Sequence, residues 1–277
     1  MTDIKELLEK HNIHLNKSLG QNFLKKRDII ENIANSCTGG KYALEIGAGP
    51  GILTRMLCER FERVVTVEID RFLEPVLDDV LFGCTNHTMI YGNFLKTDIS
   101  ELVASHFGNS LVTVVGNLPY NITGQIISKL IKNHTLFDKA VIMIQKEAAD
   151  KLMASPSMRN YRAVSVLTQY FCDIEHLFDV TPDCFIPAPR VTSSVVMLSF
   201  KQQLSLCSSQ YDGFCRFVNT VFSRRRKFLT SVFQNEEQKS KAKLFLLNSK
   251  LPETTRGEQL DCKSLASLYQ FVFCEQK

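Results

Sequence analysis

The sequence predicts an α/β fold, in which a mostly parallel sheet with one late antiparallel strand precedes a small all-α C-terminal domain. Short apolar segments of strand character alternate with helical patterns up to about residue 145, which is typical of a parallel sheet with helices on both faces. A polar, Ser-rich linker follows at 202–210, and the pattern beyond it is helical. We therefore expect one domain at 1–201 and a second at 210–277.

A glycine-rich turn at residues 42–54 (YALEIGAGPGILT) joins the first of these sheet strands to the following helix. Its glycines, Gly47, Gly49 and Gly51, let the backbone approach a ligand closely because no Cβ stands in the way. Glu68 ends the next predicted strand, nineteen residues after Gly49. An acid at about this spacing accepts the ribose hydroxyls in dinucleotide folds. The sequence thus predicts a site for an adenosine-type cofactor.

The type of cofactor follows from what this turn lacks. A Walker loop would have Lys followed by Ser or Thr after its last glycine, whereas Ile52 and Leu53 stand here. A pyrophosphate-binding turn has G-x-G-x-x-G, whereas this one has G-x-G-x-G with Pro50 inside it. The pattern starting at Glu45 resembles motif I of class I (Rossmann-like) S-adenosylmethionine methyltransferases. The alternative is an ordinary glycine turn, which the spacing of Glu68 disfavours.

The other elements are expected in regular alternation along the chain. Strands are predicted at 64–68, 87–91, 111–116, 139–145, 173–180 and 193–200, and helices at 2–11, 71–81, 98–106, 124–132, 236–248 and 258–272. The segment 161–171 is ambiguous between helix and strand. Gly47, Glu68, Asn93 and Asn117 fall at or just after strand ends. Because ligands collect at the carboxyl ends of parallel strands, we expect these four residues along one edge.

The tetrapeptide at 117–120 carries the candidate chemistry. An adenine amino group is a poor nucleophile, and two acceptors on its N–H bonds favour the pyramidal nitrogen that attacks a methyl sulfonium. The Asn117 side-chain oxygen and the Leu118 carbonyl would be these acceptors, Pro119 would fix the turn, and Tyr120 would stack on the base. Phe185 is a candidate for the base's other face. The alternatives are a common Asn-Pro turn for the tetrapeptide and core packing for Phe185.

Positive charge is concentrated in the C-terminal part of the chain. The net charge is +4, but residues 1–200 hold 20 Lys and Arg against 22 Asp and Glu, whereas residues 201–277 hold 13 against 7. A run of four basic residues occurs here: Arg224, Arg225, Arg226 and Lys227. On a continued helix Arg225 would face the apolar stripe, so either the helix bends or this side chain reaches out at a cleft edge. Phosphate binding and a solvated helix end are both open.

Composition excludes several other classes of protein. No apolar run approaches the roughly 18 residues that span a bilayer. The charged residues within 1–10 are unlike a secretion signal or a transit peptide. The nine cysteines are scattered without a C-x-x-C pair. We therefore expect reduced thiols in a cytoplasmic protein, with no metal site and no membrane partner.

Seven short motifs follow one another along the chain: 19–24 (LGQNFL), 45–51 (EIGAGPG), 65–70 (VTVEID), 117–122 (NLPYNI), 145–147 (QKE), 185–191 (FIPAPRV) with Ser194, and 225–227 (RRK). With this set the chain resembles the KsgA-type small-subunit (16S) ribosomal RNA adenine dimethyltransferases over nearly its whole length. The resemblance implies S-adenosyl-L-methionine as cofactor, held by Asn22, Leu24, Gly47, Gly49, Glu68, Asn93 and Asn117. It also implies N6,N6-dimethyladenosine as product, at two adjacent adenines in a hairpin near the 3′ end of the RNA.

The chain departs from the family pattern in two places. Asn93 stands where the family usually has Asp to accept the cofactor's adenine amino group, so we expect retained but weaker binding. The family's Tyr-Gly-Arg is replaced by residues 161–163 (YRA), which leaves the local turn open.

Two other functions remain open from the sequence. One is a ribosome-assembly checkpoint in which RNA binding matters more than catalysis, and the other is a large-subunit adenine methylase of the antibiotic-resistance type. The expected substrate is 16S rRNA in the immature 30S particle, and the expected state is a monomer.

Overall fold

A computed structural model describes residues 4–13 and 19–274, and the chain divides into two compact units. The first comprises Met1–Ala149 and Ile174–Phe200, and the second comprises Asp150–Asp173 and Lys201–Lys277. The expected division placed 150–173 in the first domain, whereas in the structure this segment packs with the C-terminal helices. The reason is aromatic packing: the Tyr170 ring lies 4.7 Å from that of Phe214, and the Phe171 ring lies 5.3 Å from that of Tyr211.

The secondary structure follows the predicted alternation. The strands in the described residues are β1 Phe23–Leu24, β2 Tyr42–Ile46, β3 Arg63–Glu68, β4 His87–Tyr91, β5 Val112–Asn117, β6 Phe137–Gln145, β7 Cys172–Val180, β8 Phe185–Ile186 and β9 Ser193–Phe200. The α-helices there are α1 Ile4–Lys10, α2 Arg27–Ser36, α3 Ile52–Cys58, α4 Glu74–Val80, α5 Ile99–Phe107, α6 Thr123–Lys132, α7 Lys146–Leu152, α8 Ala163–Phe171, α9 Tyr211–Ser223, α10 Glu236–Asn248 and α11 Cys262–Phe273. None of these helices is long and apolar enough to cross a membrane.

Seven strands form one sheet in the order β4-β3-β2-β5-β6-β9-β7. The β2–β3, β3–β4, β2–β5 and β5–β6 pairs are parallel, and β6–β9 is antiparallel. The mostly parallel sheet with a late antiparallel strand is therefore confirmed. Central strands carry continuous apolar runs because both faces are buried; Val64, Val65, Val114, Val115 and Val141 have no exposed surface.

A second, two-stranded sheet has no counterpart among the predicted elements. Here β1 pairs antiparallel with β8, so that Leu24 lies opposite Phe185. Two residues show no periodicity, so a strand this short leaves no pattern in the sequence. This pair fixes the chain that leads from the N-terminus into α2.

The C-terminal unit resolves the ambiguous segment and the second departure from the family pattern. Residues 163–171 form the helix α8. Arg162 precedes it with φ −137° and ψ 174°, an extended conformation that any residue adopts, so glycine is not required there. The main-chain N–H of Arg162 donates to Ser165 Oγ at 2.9 Å and closes the first turn of the helix.

Candidate active site at the carboxyl edge of the sheet

The carboxyl ends of β4, β3, β2 and β5 are adjacent in the sheet and open onto one cavity of the first unit. The empty space there is about 1140 Å³, its open mouth included. Residues expected at the cofactor all line this cavity: Asn22, Leu24, Gly47, Gly49, Glu68, Asn93 and Asn117. Parallel pairing of neighbouring strands brings Gly47, Glu68, Asn93 and Asn117 together, whereas Asn22 and Leu24 lie outside this sheet, beside and within β1.

The three glycines of the turn are required by backbone conformation. Gly47, Gly49 and Gly51 have φ values of 79°, 53° and 83°, in the left-handed region that side chains disfavour. A Cβ on Gly49 would lie 3.1 Å from the ring of Phe23, and a Cβ on Gly51 would lie 2.9 Å from Leu77. The turn therefore combines a left-handed backbone with close packing at two of its three glycines.

The carboxylate of Glu68 is held by the main chain. Its Oε2 accepts a hydrogen bond from the Gly49 N–H at 3.2 Å, and its Oε1 accepts one from the Asp70 N–H at 2.8 Å. The residue is only 5% exposed, and burial raises the pKa of this carboxyl above its usual value. The glycine turn and the acid are thus one hydrogen-bonded unit.

The segment that carries Asn22 is attached to two strand ends. Gln21 Nε2 donates to Asp70 Oδ2 at 2.6 Å, just beyond the end of β3. Asn117 Nδ2, at the end of β5, donates to the Asn22 carbonyl at 2.9 Å. The pairing of Gln21 with Asp70 was not predicted, because no local pattern signals a bond between residues so far apart in the chain.

Two acceptors stand together at the end of β5. Because the amide nitrogen of Asn117 is bonded to Asn22, its Oδ1 atom remains as the acceptor, and none of the described residues donates to it. The Leu118 N–H donates to the Met143 carbonyl at 3.0 Å, while its own carbonyl receives no donor from the described part of the chain. Pro119 closes the turn, since its carbonyl accepts from Thr123 Oγ1 at 3.0 Å.

The two candidate aromatic residues lie in different environments. Tyr120 lines the cavity, and its hydroxyl lies 2.8 Å from Ser193 Oγ; burial raises the pKa of this phenol, and the bond to Ser193 opposes the shift. Phe185 is 2% exposed and packs in the core with Leu24 and Val180. The structure does not bring Phe185 to the cavity, because its pairing in β8 turns the residue into the core, the alternative noted for an aromatic before a Pro-rich link.

Asn93 lies at the cavity wall with one acceptor already engaged. Its Oδ1 accepts a hydrogen bond from the Leu95 N–H at 2.9 Å, and its main-chain carbonyl accepts from Lys96 and Thr97. A carboxylate at this position would keep one oxygen for Leu95 and offer a second to a ligand. The amide instead offers the ligand an oxygen that Leu95 shares.

Glu45 is a titratable group of the cavity to which the sequence analysis gave no role. It is fully buried and lines the cavity, and its Oε2 accepts hydrogen bonds from Thr54 Oγ1 at 2.6 Å and Thr66 Oγ1 at 2.9 Å. Burial raises the pKa of this carboxyl to about 7, against the lowering effect of the two hydroxyls. The sequence signal for a role of Glu45 at the site was its position at the start of the glycine motif, residues 45–51.

The basic run lies in the second unit, beyond the end of α9 at Ser223. Arg224, Arg226 and Lys227 are exposed, whereas Arg225 is partly buried. The helical projection therefore does not apply to Arg225, because the helix has ended. Its guanidinium is paired with the carboxylate of Glu258.

Comparison with known proteins shows the family of the chain. The family model for ribosomal RNA adenine dimethylase matches residues 12–272. "Ribosomal RNA small subunit methyltransferase A" of Alkaliphilus oremlandii is 35% identical over 92% of this chain and 91% of its own length. The protein of the same name from Clostridioides difficile is 35% identical, over 97% and 94%.

Solved structures agree with this result. A dimethyladenosine transferase from Plasmodium falciparum superimposes with a TM-score of 0.72 at 25% identity, covering 89% of this chain and 95% of that one. The 23S rRNA methyltransferase ErmE superimposes with a TM-score of 0.70 at 22% identity, covering 91% and 99%, and shares the fold. The chain therefore belongs to the ribosomal RNA adenine dimethylase family.

Proposed function

We propose that this enzyme transfers methyl groups from S-adenosyl-L-methionine to N6 of two adjacent adenines in a hairpin near the 3′ end of 16S rRNA, giving N6,N6-dimethyladenosine during small-subunit biogenesis. The observation that carries the proposal is that Glu68 and Asn117 line the same cavity. A carboxylate for the ribose hydroxyls of the cofactor and a pair of acceptors for the substrate amine are thereby available to one reaction.

The residues of the cavity fit this cofactor. Among the described residues, its lining includes two acids, Glu45 and Glu68, and neither Lys nor Arg. Such a lining suits a ligand that carries a sulfonium and an ammonium, and it is unsuited to phosphates. The left-handed turn at Gly47 and Gly49 gives close backbone access, and Glu68 offers acceptors for ribose hydroxyls. When bound, the cofactor supplies an electrophilic methyl group.

The residues at the end of β5 would then prepare the adenine. Asn117 Oδ1 and the Leu118 carbonyl would each accept a hydrogen bond from one N–H of the amino group. These two bonds would orient the lone pair of the amine nitrogen toward the methyl donor. Tyr120 stacks on the base, which must leave its helical stack to enter the cavity. The proton left on the amine nitrogen after methylation would pass to water, so no general base is assigned. Positioning and preorganised acceptors supply the rate.

The partner proposed is 16S rRNA in the immature 30S particle, and the proposed state of the enzyme is a monomer. Arg224, Arg226 and Lys227 are exposed cations suited to phosphates. All nine cysteines are free, which suits a reducing, cytoplasmic compartment.

Incubation with isotopically labelled cofactor tests the proposal. Purified enzyme is given immature 30S particles and, separately, large-subunit RNA, and the labelled nucleotides are mapped by mass spectrometry. We expect two adjacent dimethyladenosines near the 3′ end of 16S rRNA. Label in the large-subunit RNA alone would favour the antibiotic-resistance type of methylase, and tight particle binding without label would favour an assembly checkpoint.

A further inference from the structure

Arg225 is the centre of a hydrogen-bonded cluster within the C-terminal unit. Its guanidinium pairs with the Glu258 carboxylate through Nε, donates to the Arg159 carbonyl through Nη1 at 3.0 Å, and donates to the Met158 carbonyl through Nη2 at 2.8 Å. The Arg225 and Glu258 side chains are only 22% and 18% exposed. Nη1 and Nη2 thus each donate one hydrogen bond inside the unit and Nε is ion-paired there, so three of the five N–H groups of the guanidinium face partners within the unit.

The cluster holds one turn of the chain, residues 155–160, which we call the pinned turn. Its Ser157 has a left-handed backbone with φ 70°, and the Ser157 N–H donates to the Glu258 carbonyl at 2.8 Å. The adjoining Tyr161 is fully buried and donates its hydroxyl to the Leu260 carbonyl at 3.1 Å. The turn is therefore attached to the 257–260 segment at several points, with Arg225 bridging the two.

The side chains of the pinned turn include one unpaired cation. Arg159 is exposed, and none of the described acids forms an ion pair with it. Arg226 is also exposed and without an acidic partner among the described residues. Arg226 follows Arg225, whose guanidinium contacts the Arg159 carbonyl, and consecutive Cα atoms lie only about 3.8 Å apart. Arg159 is therefore close to the basic run, although 65 residues separate the two in sequence.

The charge of the whole unit favours an anionic partner. Its two segments hold 16 Lys and Arg against 9 Asp and Glu, whereas the first unit holds 17 against 20. Glu258, the acid that contacts the basic run, is ion-paired with Arg225. An exposed cation without an acidic neighbour is free to bind a phosphate and release counterions.

We propose that Arg159 and the exposed residues of the basic run, Arg224, Arg226 and Lys227, form one binding surface for the phosphate backbone of a structured RNA. Arg225 is its positioning residue: it fixes the pinned turn, and with it Arg159, beside the run, and makes no phosphate contact of its own. This inference rests on the proposed function for the identity of the anion as RNA. It assigns a contact to Arg159 and removes one from Arg225.

The first test replaces Arg159 in the full-length protein. Binding of a labelled hairpin RNA with two adjacent adenines in its loop is measured over a range of salt concentrations. Arg159→Gln should lower the magnitude of the slope of log K against log salt by about one, as loss of a phosphate contact does. Lys241→Gln is the matched control, since it also removes one positive charge but from a side chain paired with Glu237 at 2.7 Å. An unchanged slope for Arg159→Gln, or an equal change in the control, would overturn the surface.

The second test separates positioning from contact, because Arg225→Lys keeps the charge but not the bridge. An ammonium cannot span the Glu258 carboxylate and two carbonyls as the guanidinium does. We expect Arg225→Lys to lower the slope as Arg159→Gln does, with no further loss when both changes are combined. Arg226→Lys should keep the wild-type slope, since a phosphate accepts either cation. A wild-type slope for Arg225→Lys, in protein whose circular dichroism is unchanged, would overturn the positioning role.

The same samples keep this inference distinct from the proposed function. Methyl transfer by the wild-type protein reports on the proposed function alone, and the slopes report on the surface alone. A wild-type enzyme that methylates 30S particles while Arg159→Gln keeps its slope would contradict only the surface.

Discussion

The side-chain nitrogen of Asn117 lies 2.9 Å from the carbonyl oxygen of Asn22, and this bond decides which way the amide faces. The donor end is occupied by Asn22, so the oxygen is the end available to a substrate. A residue 95 positions earlier in the chain thereby orients the acceptor proposed for the reaction. Hydrogen bonds of this kind, made to a functional side chain by a neighbouring residue, hold a reacting group in its productive geometry.

Asn117→Ala should lower the rate of methyl transfer by about 100- to 1000-fold, the usual effect of removing one preorganised polar group at a reacting centre. Asn117→Asp should also be impaired, because a carboxylate cannot donate to the Asn22 carbonyl and would repel it. Single-turnover transfer to immature 30S particles measures both. Asn32→Ala, an exposed position on α2, is the matched control and should retain the wild-type rate. Full activity of Asn117→Ala would remove this residue from the mechanism.

Glu45 gives a pH dependence of stability whose sign is fixed by its raised pKa. The pKa of the Glu45 carboxyl is 4.5 in the unfolded chain and about 7 in the folded protein. Between these two pH values the folded protein therefore binds more protons than the unfolded chain. The free energy of unfolding therefore falls as pH rises through this window, by roughly 3 kcal/mol for this group. Glu45→Gln should remove that part of the slope.

Urea unfolding of both proteins at several pH values checks this expectation. The difference in unfolding free energy between the variant and the wild type should grow in favour of the variant as pH rises toward 7. A difference that stays constant across the window would show that the Glu45 carboxyl does not titrate there.

Asn93→Asp should tighten cofactor binding several-fold. An aspartate would keep one oxygen on the Leu95 N–H and present the second, with charge, to the adenine amino group, and hydrogen bonds to charged acceptors are about twice as strong as neutral ones. Isothermal titration with S-adenosyl-L-homocysteine gives the dissociation constants of the two proteins. Weaker binding by the variant would mean that Asn93 serves the site as a donor.

Replacement of the two aromatic residues should separate stability from catalysis. Phe185→Ala should lower the free energy of unfolding by about 3–5 kcal/mol, since it leaves a cavity in the core. Tyr120→Ala should instead slow methyl transfer, because a stacking contact worth about 1–3 kcal/mol is lost. Denaturant unfolding and turnover per folded molecule are measured for both, with Phe185→Leu as the milder core change. Normal turnover by Tyr120→Ala would exclude it as a stacking face.

Much of the first unit is predictable from the sequence, because the patterns that indicate its strands and helices are local. Strand β4 begins and ends at the predicted residues, 87 and 91, and β9 does so at 193 and 200. Alternation of strands and helices then implies that Glu68 and Asn117 meet at one edge. That relation holds for any right-handed parallel sheet of this kind.

The remaining features depend on partners distant in sequence. The role of Phe185 is decided by β8 pairing with β1, a two-residue ladder without periodicity. The environment of Arg225 is decided by its ion pair with Glu258, 33 residues further along the chain. The helix before it ends at Ser223, and the apolar pattern does not mark that end. The packing of 150–173 with the C-terminal helices likewise comes from tertiary aromatic contacts.

In the proposed mechanism Glu68 and Asn117 serve one cavity that holds the methyl donor. A crystal structure with S-adenosyl-L-homocysteine tests it most directly. We expect the ribose hydroxyls within hydrogen-bonding distance of the Glu68 carboxylate and the sulfur facing the Asn117 side of the cavity. A ligand bound elsewhere, or one whose sulfur faces away from Asn117, would contradict the proposed transfer.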